Sequence, residues 1–130
     1  MRGLEMGRIY KTVIVKNGDK LEHVVGFVDS GADTTVISAR LARRLKIRKT
    51  VPGSLMVADG RVIPTRKTRI LVIVPDEKVR IKLAVDITNL PFDEDIDILD
   101  MILGIDFLQE SESRLIFHRT DKKGARRATA

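Results

Sequence analysis

Ile9 to Lys16 is rich in β-branched residues and ends at Asn17-Gly18, whose tolerance of positive φ is a strong hairpin signal. Leu21 to Val28 is therefore expected to return antiparallel to it. That run stops at Asp29-Ser30-Gly31-Ala32, and Thr34 to Ile37 resumes an extended, β-branched character. Ser38 stands where it can cap a short helix that carries Leu41, Ala42 and Leu45 on one face and turns its basic residues outward. Arg61 to Val74 and Val79 to Ile87 read as two strands joined around Pro75-Asp76, and Ser113 to His118 as a last one. Strands dominate, and the chain holds no internal repeat, low-complexity tract or interdomain linker. The pattern predicts a mainly β fold, a small barrel or sandwich with one or two short helices.

Composition sharpens this without changing it. A length of 130 residues at 43% hydrophobic suits one compact domain, assigned to 1–118. A domain of this size buries roughly two-thirds of its unfolded-chain surface, so it folds without disulfide or structural metal. The lack of cysteine excludes thiol nucleophiles, thiolate zinc sites and redox switching. Met1 to Gly7 carries no apolar signal core, and the longest apolar run, Ile70 to Val74, is too short to span a bilayer. A soluble, cytoplasmic protein is expected, with no membrane partner.

The net charge of +6 is unevenly placed. Residues 119–130 hold Arg119, Lys122, Lys123, Arg126 and Arg127 against Asp121 and have no hydrophobic periodicity, which predicts a basic, disordered tail. Arg40, Arg43, Arg44, Lys46, Arg48 and Lys49 read as a solvated helix surface, with a polyanion-binding face as the alternative. Only 4% of residues are aromatic and none lies in that segment, so a base-stacking nucleic-acid platform is not expected.

Candidate chemistry begins where the apolar strand Val24 to Val28 delivers a carboxylate, Asp29, and then turns sharply. Burial raises a carboxyl pKa and hydrogen bonds to the ionised form lower it, so a carboxylate at the end of a core strand can be tuned for proton transfer. Gly31 lets backbone approach that carboxylate, and Ser30 offers a hydroxyl to tie the loop down. Alone, the tripeptide also describes an ordinary turn in which Asp and Ser cap orphan amides.

The longer run Val28-Asp29-Ser30-Gly31-Ala32-Asp33-Thr34-Thr35-Val36 resembles the active-site loop of the retropepsins, the retroviral-type aspartic proteases. Two further elements match in order and spacing over about Tyr10 to Phe117. Ser54 to Thr65, with Asp59-Gly60 at its tip, is similar to the family's flap hairpin. Ile102-Leu103-Gly104, continuing into Ile105-Asp106-Phe107-Leu108, is similar to the C-terminal element whose strand packs beneath the catalytic loop. The resemblance implies a small closed β-barrel. It also implies that Asp29 is the catalytic carboxylate, that Ser30 contacts its counterpart across a dimer, and that Gly31, Ala32, Asp33, Asp59 and Gly60 face the substrate. Two departures stand out. Ser30 occupies a position where retroviral members usually have Thr, and Ile105 occupies one where they commonly have an Arg that pairs with the aspartate matching Asp33. The cellular and bacterial branch is the nearer likeness.

Peptide hydrolysis by this route needs one carboxylate to take a proton from water and a second, protonated, to polarise the carbonyl. With a single Asp-Ser-Gly-Ala sequence, the enzyme reading requires a twofold homodimer acting on peptide or protein substrates, without cofactor or metal, most active below neutrality. The rival is a non-catalytic dimerisation or peptide-binding module whose tail engages polyanions. Elsewhere, the acidic run Asp93, Glu94, Asp95, Asp97 and Asp100 lacks the glycine-centred spacing of a calcium loop and reads as solvated. His23 and His118 have no partners with metal-ligand spacing, and no nucleophile elbow or phosphate-binding glycine loop is present.

Overall fold

The computed structural model describes residues 9–57, 59–89 and 99–112. The strands are β1 (Ile9–Asn17), β2 (Lys20–Val28), β3 (Val36–Ser38), β4 (Val51–Met56), β5 (Val62–Val74), β6 (Val79–Thr88) and β7 (Met101–Leu103). A helix, α1 (Ala39–Arg44), follows β3, and a second, α2, covers 105–112. The sheet order is β1-β2-β7-β3-β6-β5-β4, with β1 also pairing β5. Six strands thus close on themselves and β4 hangs outside the ring on β5. The fold is the small closed β-barrel with two short helices that the sequence led us to expect.

The ring encloses one apolar core. Val13 and Val15 of β1, Val24 of β2, Ile70, Val72 and Val74 of β5, Val79, Ile81, Leu83 and Val85 of β6, and Met101 and Leu103 of β7 all point into it. Their two-residue spacing within each longer strand is the pleat placing alternate side chains on one face. Leu41, Ala42 and Leu45 of the α1 segment and Phe107 of α2 plug the barrel beside Ile37. Ser38 caps α1 as expected: its hydroxyl accepts from the Leu41 amide at 2.9 Å.

The β1–β2 hairpin differs in detail from the sequence expectation. Asn17 stays in the ladder opposite Lys20, the loop is Gly18-Asp19, and the positive φ of 63° falls on Gly18. The Asn17 side chain is engaged instead, donating to the Leu45 carbonyl at 2.8 Å and so tying the hairpin to the end of α1. The third strand also starts later than Thr34, at Val36: the Thr34 hydroxyl bonds to Asp86 and the Thr35 amide and hydroxyl to Asp106, while the Thr35 carbonyl accepts from the Asp86 amide at 3.1 Å.

Asp100 corrects the reading of the acidic run as wholly solvated. It is buried, accepting from the Ser38 hydroxyl at 2.7 Å and forming ion pairs with Arg40 at 2.9 Å and Arg44 at 3.0 Å. Two of the basic residues read as a free solvated surface therefore bridge the helix to the strand-like entry of β7. Burial pushes the Asp100 carboxyl up, but hydrogen bonds from Ser38, Arg44 and Arg40 together outweigh it and hold the group below the usual aspartate value. Residues 93–97, the expected strand Ser113 to His118 and the tail 119–130 lie outside the described residues.

Candidate active site

The loop between β2 and β3 is fastened from below by β7. That strand runs parallel to β2 (Gly26↔Met101, Phe27↔Ile102, Val28↔Leu103) and antiparallel to β3 (Val36↔Ile102, Ile37↔Met101). The Asp29 amide donates to the Leu103 carbonyl at 2.9 Å and the Ile105 amide to the Ala32 carbonyl at 2.7 Å, so the loop is bonded on both sides of its turn. Gly104 lies between these contacts. A Cβ there would come within 2.7 Å of the Thr34 backbone and 2.8 Å of the Ala32 carbonyl oxygen, so only glycine allows the approach. Ile102, Leu103 and Gly104, selected from the sequence as support, form this floor.

Two aspartates missed as structural supports complete it. Asp106, at the start of α2, accepts from the Thr35 amide at 3.1 Å and the Thr35 hydroxyl at 2.8 Å, while the Gly104 amide donates to that hydroxyl at 3.1 Å. Asp86 on β6 is fully buried and accepts from the Thr34 hydroxyl at 3.1 Å. Its signal in the sequence was an acidic residue inside the apolar run Val85-Asp86-Ile87.

Within the loop, the Asp29 carboxylate is half-buried and its Oδ1 accepts from the Gly31 amide at 2.9 Å; the Ala32 amide donates to the Asp29 carbonyl at 3.1 Å. Ser30, Gly31 and Asp33 are exposed. Above them, β4 and β5 form a hairpin in register from Val51↔Lys67 to Met56↔Val62, longer at its root than the expected Ser54 to Thr65. A cleft of about 550 Å³ separates loop from hairpin, lined by Asp29, Gly31, Ala32, Asp33, Thr34 and Val36 below, Ile102 behind, and Ser54 to Val57 above. Its two carboxylates lie among mainly apolar walls, a setting suited to an extended peptide with water activated at one point.

Asp59 and Gly60 sit at the hairpin turn, outside the lining. Gly60 has φ of 89° and its amide donates to the Val57 carbonyl at 2.9 Å. Asp59 accepts from the Arg61 amide at 3.0 Å and pairs with its guanidinium at 2.6 Å. The hairpin residues that reach the cleft, Ser54 to Val57, carried no signal in the sequence beyond membership of the hairpin. His23 is exposed on β2. Among the described residues, no three His, Cys, Asp or Glu side chains gather as a metal site would require, and no helix is long and apolar enough to cross a membrane.

A closed six-strand barrel with an aspartate loop clamped by a hydrophobic-Gly element defines a retropepsin-like aspartic protease fold. Residues 16–110 match the family described as gag-polyprotein putative aspartyl protease, and the chain belongs to that retropepsin-like family. Among solved structures it is similar to the EIAV protease complexed with the inhibitor HBY-793, at 24% identity over 78% of this chain and 86% of that one, TM-score 0.54. It is also similar to a retropepsin-like aspartic protease from Rickettsia conorii, at 18% identity over 80% and 72%, TM-score 0.56. A third is the retroviral protease-like domain of Ddi1 from Leishmania major, at 21% identity over 78% and 75%, TM-score 0.52. No curated protein matches the chain.

Proposed function

We propose that this chain is one half of a homodimeric aspartic endopeptidase in which the Asp29 carboxylates of two copies meet at a twofold axis. The observation that carries the reading is the half-buried Asp29 carboxylate, pinned by the Gly31 amide on the floor of a peptide-sized cleft. Two such carboxyls about 3 Å apart share one proton. The ionised one takes a proton from water, the other protonates the scissile carbonyl oxygen, and collapse of the tetrahedral intermediate returns a proton to the leaving amine. Ser30, exposed beside Asp29, supplies the hydroxyl contact across the axis. Ala32 and Asp33 hold the peptide backbone from below, and the hairpin carrying Asp59 and Gly60 closes from above as a flap, with Ser54 to Val57 as its inner surface.

The test is cleavage of a diverse peptide library between about pH 3 and 7, comparing the chain with Asp29→Asn at concentrations that favour dimers. Cleavage that peaks below neutrality, rises steeply with protein concentration and vanishes in the variant supports the proposal. A folded dimer that binds peptides and cleaves none of them would leave the non-catalytic binding module as the better account.

A further inference from the structure

Asp86 occupies an unusual place for an acid. On β6 the residues Val79, Ile81, Leu83 and Val85 face the core, so Asp86 lies on the opposite face, yet it is 0% exposed. Three elements cover it. β3 runs alongside with Val36 opposite, β5 runs alongside with Lys67 opposite, and β4 presses down from above. The carboxylate accepts from the Thr65 hydroxyl at 2.6 Å on Oδ1, and from the Thr34 hydroxyl and the Lys67 ammonium, each at 3.1 Å, on Oδ2. At Gly53, a Cβ would lie 2.9 Å from the Thr65 hydroxyl and 3.1 Å from Asp86 Oδ1, so the β4 backbone rests directly on this cluster.

These partners belong to opposite walls of the cleft. Thr34 lines its lower wall. Thr65, Lys67 and Gly53 form the root of the hairpin, where Gly53 pairs with Thr65 and Val51 with Lys67, and the next residues of β4, Ser54 to Met56, line the upper wall. Stability alone does not require a charge here, because a well-packed apolar side chain often replaces a buried ion pair at no cost. What an apolar residue cannot do is bond in fixed directions to both walls at once.

We infer that Asp86 is a positioning residue that sets the spacing of the cleft by anchoring the hairpin root and the Asp29 loop to one carboxylate. The inference rests on the cleft being the peptide site. Alanine at this position bonds to neither wall, whereas asparagine can keep both, because a threonine hydroxyl turns to accept from its NH2 group. Asp86→Ala therefore releases both walls, whereas Lys67→Met leaves both hydroxyl bonds in place and loosens the hairpin root less.

The experiment compares amide exchange of residues 51–57 with that of the core strands in the full-length wild type, Asp86→Ala and Lys67→Met, together with KM and kcat on a cleaved peptide. For Asp86→Ala the expected result is exchange in 51–57 accelerated about tenfold beyond any change in the core strands, and KM raised by a similar factor, the equivalent of one charge-assisted hydrogen bond. Lys67→Met should give about a third of that on a logarithmic scale. Hairpin exchange that merely follows the core strands, or a KM unmoved in Asp86→Ala, overturns the inference. If the wild type cleaves nothing, the protease reading fails by itself, while the exchange comparison still decides whether Asp86 holds the hairpin.

Discussion

The two walls of the cleft are built on opposite plans. The lower wall is the Asp29 loop, bonded through backbone to Leu103 and Ile105 and through Thr35 to Asp106, over a β7 whose burial reads buried, intermediate, buried. The upper wall is the β4–β5 hairpin, whose Met56 and Val62 are 69% and 60% exposed. Among the described residues its arm has a single neighbouring strand, and Thr65 and Lys67 anchor it at the root. A preorganised floor suits a group that must hold a water and a carboxylate in fixed geometry, while an arm with little buried surface opens at low free-energy cost. On the proposed function, the division between rigid chemistry and moving cover is already drawn in a single copy of the chain.

The sharpest break comes from the floor. Asp29→Asn should lower kcat/KM by about 10³-fold or more while leaving the thermal midpoint near that of the wild type, measured by peptide cleavage and calorimetry. A residual rate within tenfold of wild type would remove Asp29 from the chemistry.

Glycines then test the walls against each other. Gly104→Ala drives a methyl into the Thr34 backbone and should destabilise the fold by about 2–3 kcal/mol in urea unfolding. Gly60→Ala meets open space and suffers only its φ of 89°, costing about 1 kcal/mol. Equal costs would contradict the rigid-floor account.

Acid tests what keeps the barrel folded where the proposed chemistry works best. The Asp100 carboxyl is lowered in the folded state, so its stabilisation is present above the unfolded value and is lost as pH falls through the folded one. The wild type should exceed Asp100→Asn in unfolding free energy at neutral pH, and the gap should close below pH about 4 in a pH series of denaturation curves. The smallest effect belongs to the arm. Met56→Ser should change stability by no more than about 0.5 kcal/mol while raising KM for apolar peptides, a split that isothermal unfolding and steady-state kinetics resolve together.

Much of this was legible in the residues. β-branched runs and Asn17-Gly18 located β1, β2, β5 and β6 and the first hairpin, and Ser38 with Leu41, Ala42 and Leu45 located α1, because those signals are local. The match around Asp29 and the Leu103-Gly104 element brought together segments that the fold does place in contact. The supports were not legible. Asp86, Asp100 and Asp106 each bond to residues distant in the sequence, and nothing local separates a buried, satisfied aspartate from a solvated one. Nor could the hairpin pattern tell which of its residues would line the cleft, since that depends on how far β4 leans over the loop.

Closure of the ring has a further consequence for how this protein keeps company. Strands inside a closed barrel offer few unpaired backbone groups, and among the described residues the sheet order ends at β4, which has β5 as its one partner. A strand at the end of a sheet presents its outer amides and carbonyls as a template for one more strand. On the proposed function, the edge that an extended guest would use is also where crowded or partly unfolded copies would begin to stick to one another, so that solubility and recognition would draw on one strip of main chain.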